Sequence, residues 1–312
     1  MDMSKVSRSI SELIGNTPML KINRMTGANS ASIFVKLESF NIGGSVKDRV
    51  ALHLIEFAEA SGILTKDKTI IEATSGNTGI AIAMIGAAKG YKVTIVMSES
   101  VSVERRKIIS AYGADLILTP GSRGTSGAID IKDRLVSEEP DKYVPLDQFS
   151  NPANVLAHYR GTGREIIDQM NGEIDMVVLS VGTGGTSSGV SLRMKEFNPA
   201  IKVIGITPML GVKIQGIRNP REPNPSKLVR YGAMDELIEI DEKTKQEAFE
   251  TGRRAAREEG LLLGMSAAVS LHIAMIKAIE LGSGKNIVVI LPDNGFKYLS
   301  TELFQDNGRL ME

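Results

Sequence analysis

The sequence predicts an α/β protein in which parallel-type sheets are flanked by helices. Strand-sized apolar runs alternate with helix-patterned segments along almost the whole chain, and Gly-rich turns recur where the first kind passes into the second. Size agrees: 312 residues, 42% of them hydrophobic, suffice for one large or two closely packed domains.

In chain order, residues 33–37 form the first clean strand, which could join either of two sheets. Ile70 and Ile71 lead through a Gly-rich turn into an apolar helix over 80–90, followed by a strand over 92–97. A helix over 104–112 precedes a strand over 115–118, and residues 145–154 have the composition of a connection. A second block opens with a strand over 176–181 and another Gly-rich turn. Strands over 202–206 and 287–291 follow. The expected division is a smaller α/β domain over 42–150 and a larger one from 1–41 and 151–312. Together they form a two-domain fold with a ligand-binding cleft between them. The least patterned stretch, 218–231, contains Pro220, Pro223 and Pro225 and reads as a loop, where specificity often resides.

Composition removes several function classes. Lys plus Arg and Asp plus Glu are both 37, so no broad basic field for nucleic acid or an anionic membrane is expected. No long apolar run follows the N-terminal charges and none reaches the length of a membrane span, so neither a secretory signal nor a span is expected. The absence of cysteine excludes disulfides, thiolate metal sites and a cysteine nucleophile, and makes the cytoplasm the expected compartment. His53, His158 and His272 are far apart in sequence and form no ligand-spaced pair, so each is expected in the core or on the surface and no metal is expected.

Four stretches fall where loops follow strands, the edge at which open α/β sheets bind ligands. The first, Asn41-Ile-Gly-Gly-Ser-Val-Lys47-Asp-Arg49, puts a lysine at the opening of a helix. Alone, such a lysine is most simply a solvated surface residue. Partly desolvated beside helix-end dipoles, it has a lowered pKa and becomes an amine able to form a Schiff base. The second, Thr74-Ser75-Gly76-Asn77-Thr78-Gly79, sets hydroxyls, an amide and glycine-freed N–H groups at a helix N-terminus. It is either an ordinary capping turn or a cradle for a carboxylate.

The third, Gly182-Thr183-Gly184-Gly185-Thr186-Ser-Ser-Gly189, departs from Gly-x-Gly-x-x-Gly and has no Gly-Lys-Ser/Thr, which weakens the dinucleotide and P-loop readings. Glycine at this density is entropically unfavourable in a plain connection, and glycines interleaved with hydroxyls suit a phosphate monoester. The fourth is a pair, Gly264-Met-Ser266-Ala and Leu291-Pro292-Asp293-Asn-Gly-Phe-Lys-Tyr-Leu-Ser-Thr301, individually a helix cap and a strand-end turn. The residues alone therefore provide a phosphate cradle, a carboxylate cradle and a candidate amine, without bringing them together.

Together and in this order, the motifs resemble the cysteine synthase (O-acetylserine sulfhydrylase) family, whose relatives include cystathionine β-synthase, from Ile14-Gly-Asn-Thr-Pro18 to Leu299-Ser-Thr301. The resemblance implies a fold type II enzyme with pyridoxal 5'-phosphate in the interdomain cleft. It further implies a homodimer, and it leaves open whether a serine acetyltransferase docks in the cleft. Lys47 is similar to the Schiff-base lysine that also moves the α-proton, and Asn77 to the asparagine on the cofactor's 3′ oxygen. Thr74, Ser75, Gly76 and Thr78 resemble the loop that grips the substrate carboxylate, a task shared by Gln148. Gly182, Thr183, Gly184, Gly185 and Thr186 resemble the phosphate loop. Ser266 resembles the serine facing the pyridine nitrogen, with Pro292 and Asp293 beside the cofactor. A hydroxyl there does not hold the nitrogen protonated, so the ring is a weaker electron sink and the β-substituent leaves promptly. The implied reaction is β-elimination from O-acetylserine or O-phosphoserine to a bound aminoacrylate, then addition of sulfide to give L-cysteine.

Three segments depart from the family pattern and leave the substrates open: Asn41-Ile42 in place of Asn-Pro, Gly264-Met-Ser-Ala-Ala268, and Arg160-Gly-Thr-Gly-Arg164-Glu. Arg218, in Gln215-Gly-Ile-Arg218-Asn219, resembles the arginine of members that use phosphoserine, or is a solvated loop residue. On the same scaffold the alternatives are cystathionine β-synthase-type chemistry and a cysteine β-lyase or desulfhydrase. From other classes they are a nicotinamide-dependent oxidoreductase and a catalytically silent binding protein.

Overall fold

The computed structural model describes residues 6–74 and 76–304. The chain opens with β1 (Met19–Lys21), β2 (Ser32–Leu37) and α1 (Lys47–Ala60). It continues with β3 (Thr69–Ala73), α2 (Asn77–Lys89), β4 (Lys92–Ser98), α3 (Val103–Ala111), β5 (Asp115–Thr119), α4 (Gly124–Glu138) and β6 (Tyr143–Pro145). Then come α5 (Ala153–Ala157), a π-turn (His158–Thr162), α6 (Gly163–Gln169), β7 (Met176–Ser180), α7 (Gly185–Phe197), β8 (Lys202–Pro208) and β9 (Glu236–Ile240). Helices α8 (Glu242–Glu259) and α9 (Met265–Leu281) and strand β10 (Asn286–Leu291) complete the fold.

The strands form two sheets, a six-stranded one ordered β1-β2-β10-β7-β8-β9 and a four-stranded one ordered β5-β4-β3-β6. Every pairing is parallel except β1 with β2. Strand β2, which the sequence left open, pairs with β10 from Ser32 opposite Asn286 to Leu37 opposite Leu291, so it belongs to the larger sheet. The central strands are buried on both faces, which explains their unbroken apolar runs. Helix α2 starts three residues earlier than its apolar pattern, so Asn77 and Thr78 lie in its first turn. The stretch 218–231 is irregular, as its prolines require.

Helix α1 ties the sheets together. Its apolar side, Val50, Ala51, Leu54, Ile55 and Ala58, packs into the core of the four-stranded sheet. Its first turn instead enters a buried polar cluster at the end of β2. Arg49 donates from Nε to Glu38 Oε2 at 2.7 Å and from Nη2 to Glu38 Oε1 at 3.0 Å. It also donates to Glu165 of α6 from Nη1 at 2.6 Å and Nη2 at 2.7 Å. Lys36 donates to the other side of the cluster, to Glu165 at 2.7 Å and to the Thr17 carbonyl at 2.6 Å. Burial alone would raise the Glu165 pKa, but hydrogen bonds and charge from Arg49 and Lys36 outweigh it and hold the carboxyl at about 2.

Breaking a buried ion pair from one side leaves an uncompensated charge. We expect Arg49→Met to lower stability by about 3–5 kcal/mol, read as a fall in the urea midpoint. Because Glu165 titrates lower in the folded state, its contribution is complete above the ordinary carboxyl value of 4.5 and is lost as pH falls through about 2. In Glu165→Gln the loss of stability between those pH values should be shallower than in wild type.

Candidate active site

The C-terminal ends of β2, β3, β7 and β10 lead into loops around one cavity of about 830 Å³. Its wall brings together Lys47, Thr74, Asn77, Thr78, Gln148, Gly182, Thr183, Gly184, Thr186, Arg218, Ser266 and Pro292. Gly76, Gly185 and Asp293 sit outside that wall and shape it. Ser75 lies outside the described residues.

Lys47 opens α1 half-buried, and its turn is fastened to the end of β10. The Val46 N–H donates to the Pro292 carbonyl at 2.8 Å, and Lys297 Nζ donates to the Gly44 carbonyl at 2.8 Å. Among the described residues no carboxylate pairs with the Lys47 amine, and burial lowers its pKa to about 8. About a tenth of it is then neutral at pH 7, far more than of an ordinary lysine, and the neutral form is the amine nucleophile.

The turn before α2 has the form of an anion cradle. Gly76, at φ +142°, occupies backbone space that side chains avoid, and its N–H donates to Thr74 Oγ1 at 3.0 Å. Thr78 Oγ1 donates to Gln148 Oε1 at 2.7 Å, while Gln148 Nε2 donates to the Ala73 carbonyl at 2.9 Å. Gln148 is itself suspended from a buried side chain: Glu72 Oε2 accepts the Asp147 N–H at 2.8 Å and Oε1 accepts the Gln148 N–H at 3.4 Å. Burial pushes Glu72 up to about 7, against the pull of Lys132.

Asn77 Nδ2 donates to Asp293 Oδ2 at 2.7 Å, and the Tyr298 hydroxyl donates to the same oxygen at 2.7 Å. Asp293 thus orients the Asn77 amide. Asn77 Oδ1 is buried without a partner among the described residues.

Across the cavity, Gly184 caps α7 at φ +86°, and the first-turn N–H groups of that helix have no intrahelical acceptors. A Cβ at Gly185 would overlap Asn154, whose Nδ2 donates to Thr183 Oγ1 at 3.0 Å and to the Gln148 carbonyl at 2.7 Å. Thr186 Oγ1 meets His158 Nε2 at 3.2 Å, and His158 Nδ1 meets Thr162 Oγ1 at 3.0 Å. Burial, reinforced by the charges of Lys47, Arg49 and His53, holds the His158 pKa well below its ordinary value, so the ring is neutral. His158 is a core histidine, as expected, and also fixes a hydroxyl of the cradle. Ser266, buried in the first turn of α9, faces the cavity with no hydrogen-bond partner among the described residues.

Arg218 lines the cavity, but its guanidinium is largely engaged. Nε donates to Glu222 Oε2 at 3.1 Å, Nη2 donates to the Pro223 carbonyl at 2.8 Å, and the group lies 5.3 Å from the Phe149 ring centroid. Sequence reasoning missed Glu72, Asn154, Arg105 and Gln215. Only their place in the fold marks them, because a charge in a strand or a helical Glu-Arg-Arg run ordinarily reads as a solvated face.

The donor set fits pyridoxal phosphate: a desolvated amine, a helix N-terminus with glycines and hydroxyls for a phosphate, the unpartnered Asn77 oxygen and the free Ser266 hydroxyl. Residues 10–293 match the family described as pyridoxal-phosphate dependent enzyme. A cysteine synthase of Staphylococcus aureus is 44% identical over 308 residues, covering 95% of this chain and 96% of its own. The solved structure of an O-ureido-L-serine synthase matches with a TM-score of 0.90 at 39% identity, over 97% of this chain and 98% of that one. That of an O-acetyl serine sulfhydrylase from Entamoeba histolytica matches with a TM-score of 0.85 at 36% identity, over 99% of this chain and 95% of that one. The chain belongs to the pyridoxal-phosphate-dependent enzymes, within the cysteine synthase family.

Proposed function

We propose that the protein replaces the β-substituent of an O-activated L-serine with sulfide, giving L-cysteine. The observation that carries this reading is the placement of Lys47 in one cavity with two anion cradles at separate helix N-termini, one suited to a phosphate and one to a carboxylate. The names of the relatives, cysteine synthase and O-acetyl serine sulfhydrylase, support the same chemistry. The two-domain division at residues 42–150, a homodimer and a docked serine acetyltransferase belong to the same proposal.

When bound, pyridoxal phosphate supplies the electron sink that lets the Cα–H bond of the amino acid break. Residues 182–186 and the α7 N-terminus would hold its phosphate, and Lys47 would hold it covalently. The Lys47 amine would take the Cα proton of the bound amino acid and return it to the same carbon at the end of the cycle. Thr74, Thr78, Gln148 and the α2 N-terminus bind the carboxylate and turn the Cα–H bond toward Lys47. The β C–O bond breaks as the leaving group departs with its electron pair. A C–S bond then forms from hydrosulfide at the same carbon. Ser266 offers a neutral hydroxyl where a carboxylate would stabilise a protonated ring, which favours quick loss of the β-substituent.

The geometry favours a neutral ester as donor. Arg218 resembles a phosphate reader in sequence, but Glu222 occupies its Nε and the Pro223 carbonyl an Nη. A phosphate dianion approaching that guanidinium would meet the Glu222 carboxylate as well. O-acetylserine therefore fits better than O-phosphoserine.

Four measurements test the reading. Lys47→Ala should abolish covalent retention of the cofactor after borohydride treatment. In wild type the rate of cofactor capture by the apoprotein should rise with pH and level off above about 8, as the Lys47 amine deprotonates. Thr74→Ala and Gln148→Ala should each weaken binding of L-serine by about 1.5–3 kcal/mol, the worth of a hydrogen bond to a charged group. Spectral titration of the holoenzyme gives that number, and unchanged affinity in both would remove the carboxylate cradle. Arg218→Ala should change kcat/KM less than tenfold with O-acetylserine. A large loss confined to O-phosphoserine would reverse the donor assignment.

A further inference from the structure

Arg105 is a large side chain of the first turn of α3 that is only 2% exposed, and it lies on the cavity wall. Its partners are neutral: Nη1 donates to Gln215 Oε1, and the guanidinium carbon sits 4.5 Å from the Tyr298 ring centroid. Nε is buried with no acceptor among the described residues. Among the described residues no carboxylate pairs with it, unlike Arg49, which is buried between two. An amide oxygen and a ring face supply only partial negative charge, and a buried cation left at that is expensive unless something else completes it.

The neighbouring wall indicates what completes it. Arg105 and Gln215 share the cavity with Thr74 and Asn77. The turn between those two residues presses on the arginine so closely that a Cβ at Gly76 would overlap its side chain. The unmatched charge therefore adjoins the carboxylate cradle.

We propose that Arg105 is a substrate-binding residue that supplies the fixed positive charge of the carboxylate site. The pocket thereby selects amino acids with a free α-carboxylate over their amides. This rests on the amino-acid β-replacement reading above and names the recognition element that reading lacks, since Thr74, Thr78 and Gln148 are all uncharged. A carboxylate entering the site gains a charged, pre-oriented donor, whereas a carboxamide gains at most a neutral hydrogen bond.

Arg105 also crosses the cleft, because Gln215 and Tyr298 belong to loops of the six-stranded unit. Nearby, Ser102 Oγ donates to the Lys297 carbonyl at 3.0 Å, and Ser300 Oγ donates to Glu104 at 3.0 Å. A mere latch would affect every ligand alike, and the test separates the two roles. Holoenzyme of wild type, Arg105→Gln and Gln215→Glu is titrated with L-serine and with L-serinamide, following the cofactor absorbance. Gln215→Glu keeps the arginine anchored and buried while giving it an internal counter-charge, so it stays informative if Arg105→Gln fails to fold.

Both variants should bind L-serine roughly tenfold to a hundredfold more weakly, with L-serinamide affinity changed by less than about threefold. Equal losses for the two ligands in Gln215→Glu, or no loss for L-serine, would overturn the proposal and leave the β-replacement reading standing. Wild type that binds neither ligand would overturn both.

Discussion

Arg49 grips Glu38 with one edge of its guanidinium and Glu165 with the other, two residues after Lys47, the proposed Schiff-base lysine. The planar fork suits two carboxylates at once, and its burial makes the geometry rigid. One face of α1 belongs to the core of the four-stranded sheet, while its first turn is held by charges rooted in β2 and α6. Lys47 is therefore positioned by both halves of the molecule. The amine can be partly desolvated without losing its aim, because the charges buried at the base of α1, Arg49, Glu38, Glu165 and Lys36, answer one another.

The rest of the site follows from where parallel strands end. Parallel sheets send successive loops to one edge, and a helix that starts at such a loop points its unsatisfied N–H groups there. Loops that follow strands of both sheets bring the first turns of α2 and α7 to one cavity. Each cradle then needs glycine where backbone and side chains crowd, and Gly76 and Gly185 mark those places: one lies against Arg105, the other against Asn154. Contacts across the cleft keep the walls in register, including the Lys227 N–H donating to the Phe149 carbonyl at 2.9 Å and Ser126 Oγ donating to the Pro223 carbonyl at 3.2 Å.

The parts of the protein with local signatures were legible in the sequence. The central strands, the helices over 80–90 and 104–112, the irregular stretch 218–231 and the Gly-rich turns all announce themselves through periodicity or glycine and proline placement. The three-residue strands β1 and β6 are too short to show a period, and β9, Glu-Leu-Ile-Glu-Ile, carries its charges because it lies at a sheet edge. Lys47, Asn77 and Thr186 were found through motifs. That they share one cavity is a property of topology that no single stretch contains. Arg218 is the instructive case. Its resemblance to a phosphoserine-reading arginine was visible in the motif, but its engagement with Glu222 depends on how the proline-rich loop folds back on itself.

The Gln148 turn has a consequence for how this chain can change. Strand β6 ends at Pro145, and beyond it the strand-to-strand ladder is replaced by one side chain, with Glu72 receiving the next free N–H groups at Asp147 and Gln148. A ladder can slip by a residue and re-form, but a lone carboxylate cannot follow. Inserting or deleting a single residue between 145 and 148 would take both N–H groups off Glu72 and turn Gln148 away from Thr78. The loop over 218–225 meets the four-stranded unit through contacts at Ser126 and Phe149 and not through a buried carboxylate, so a change of length should disturb the site less there than here.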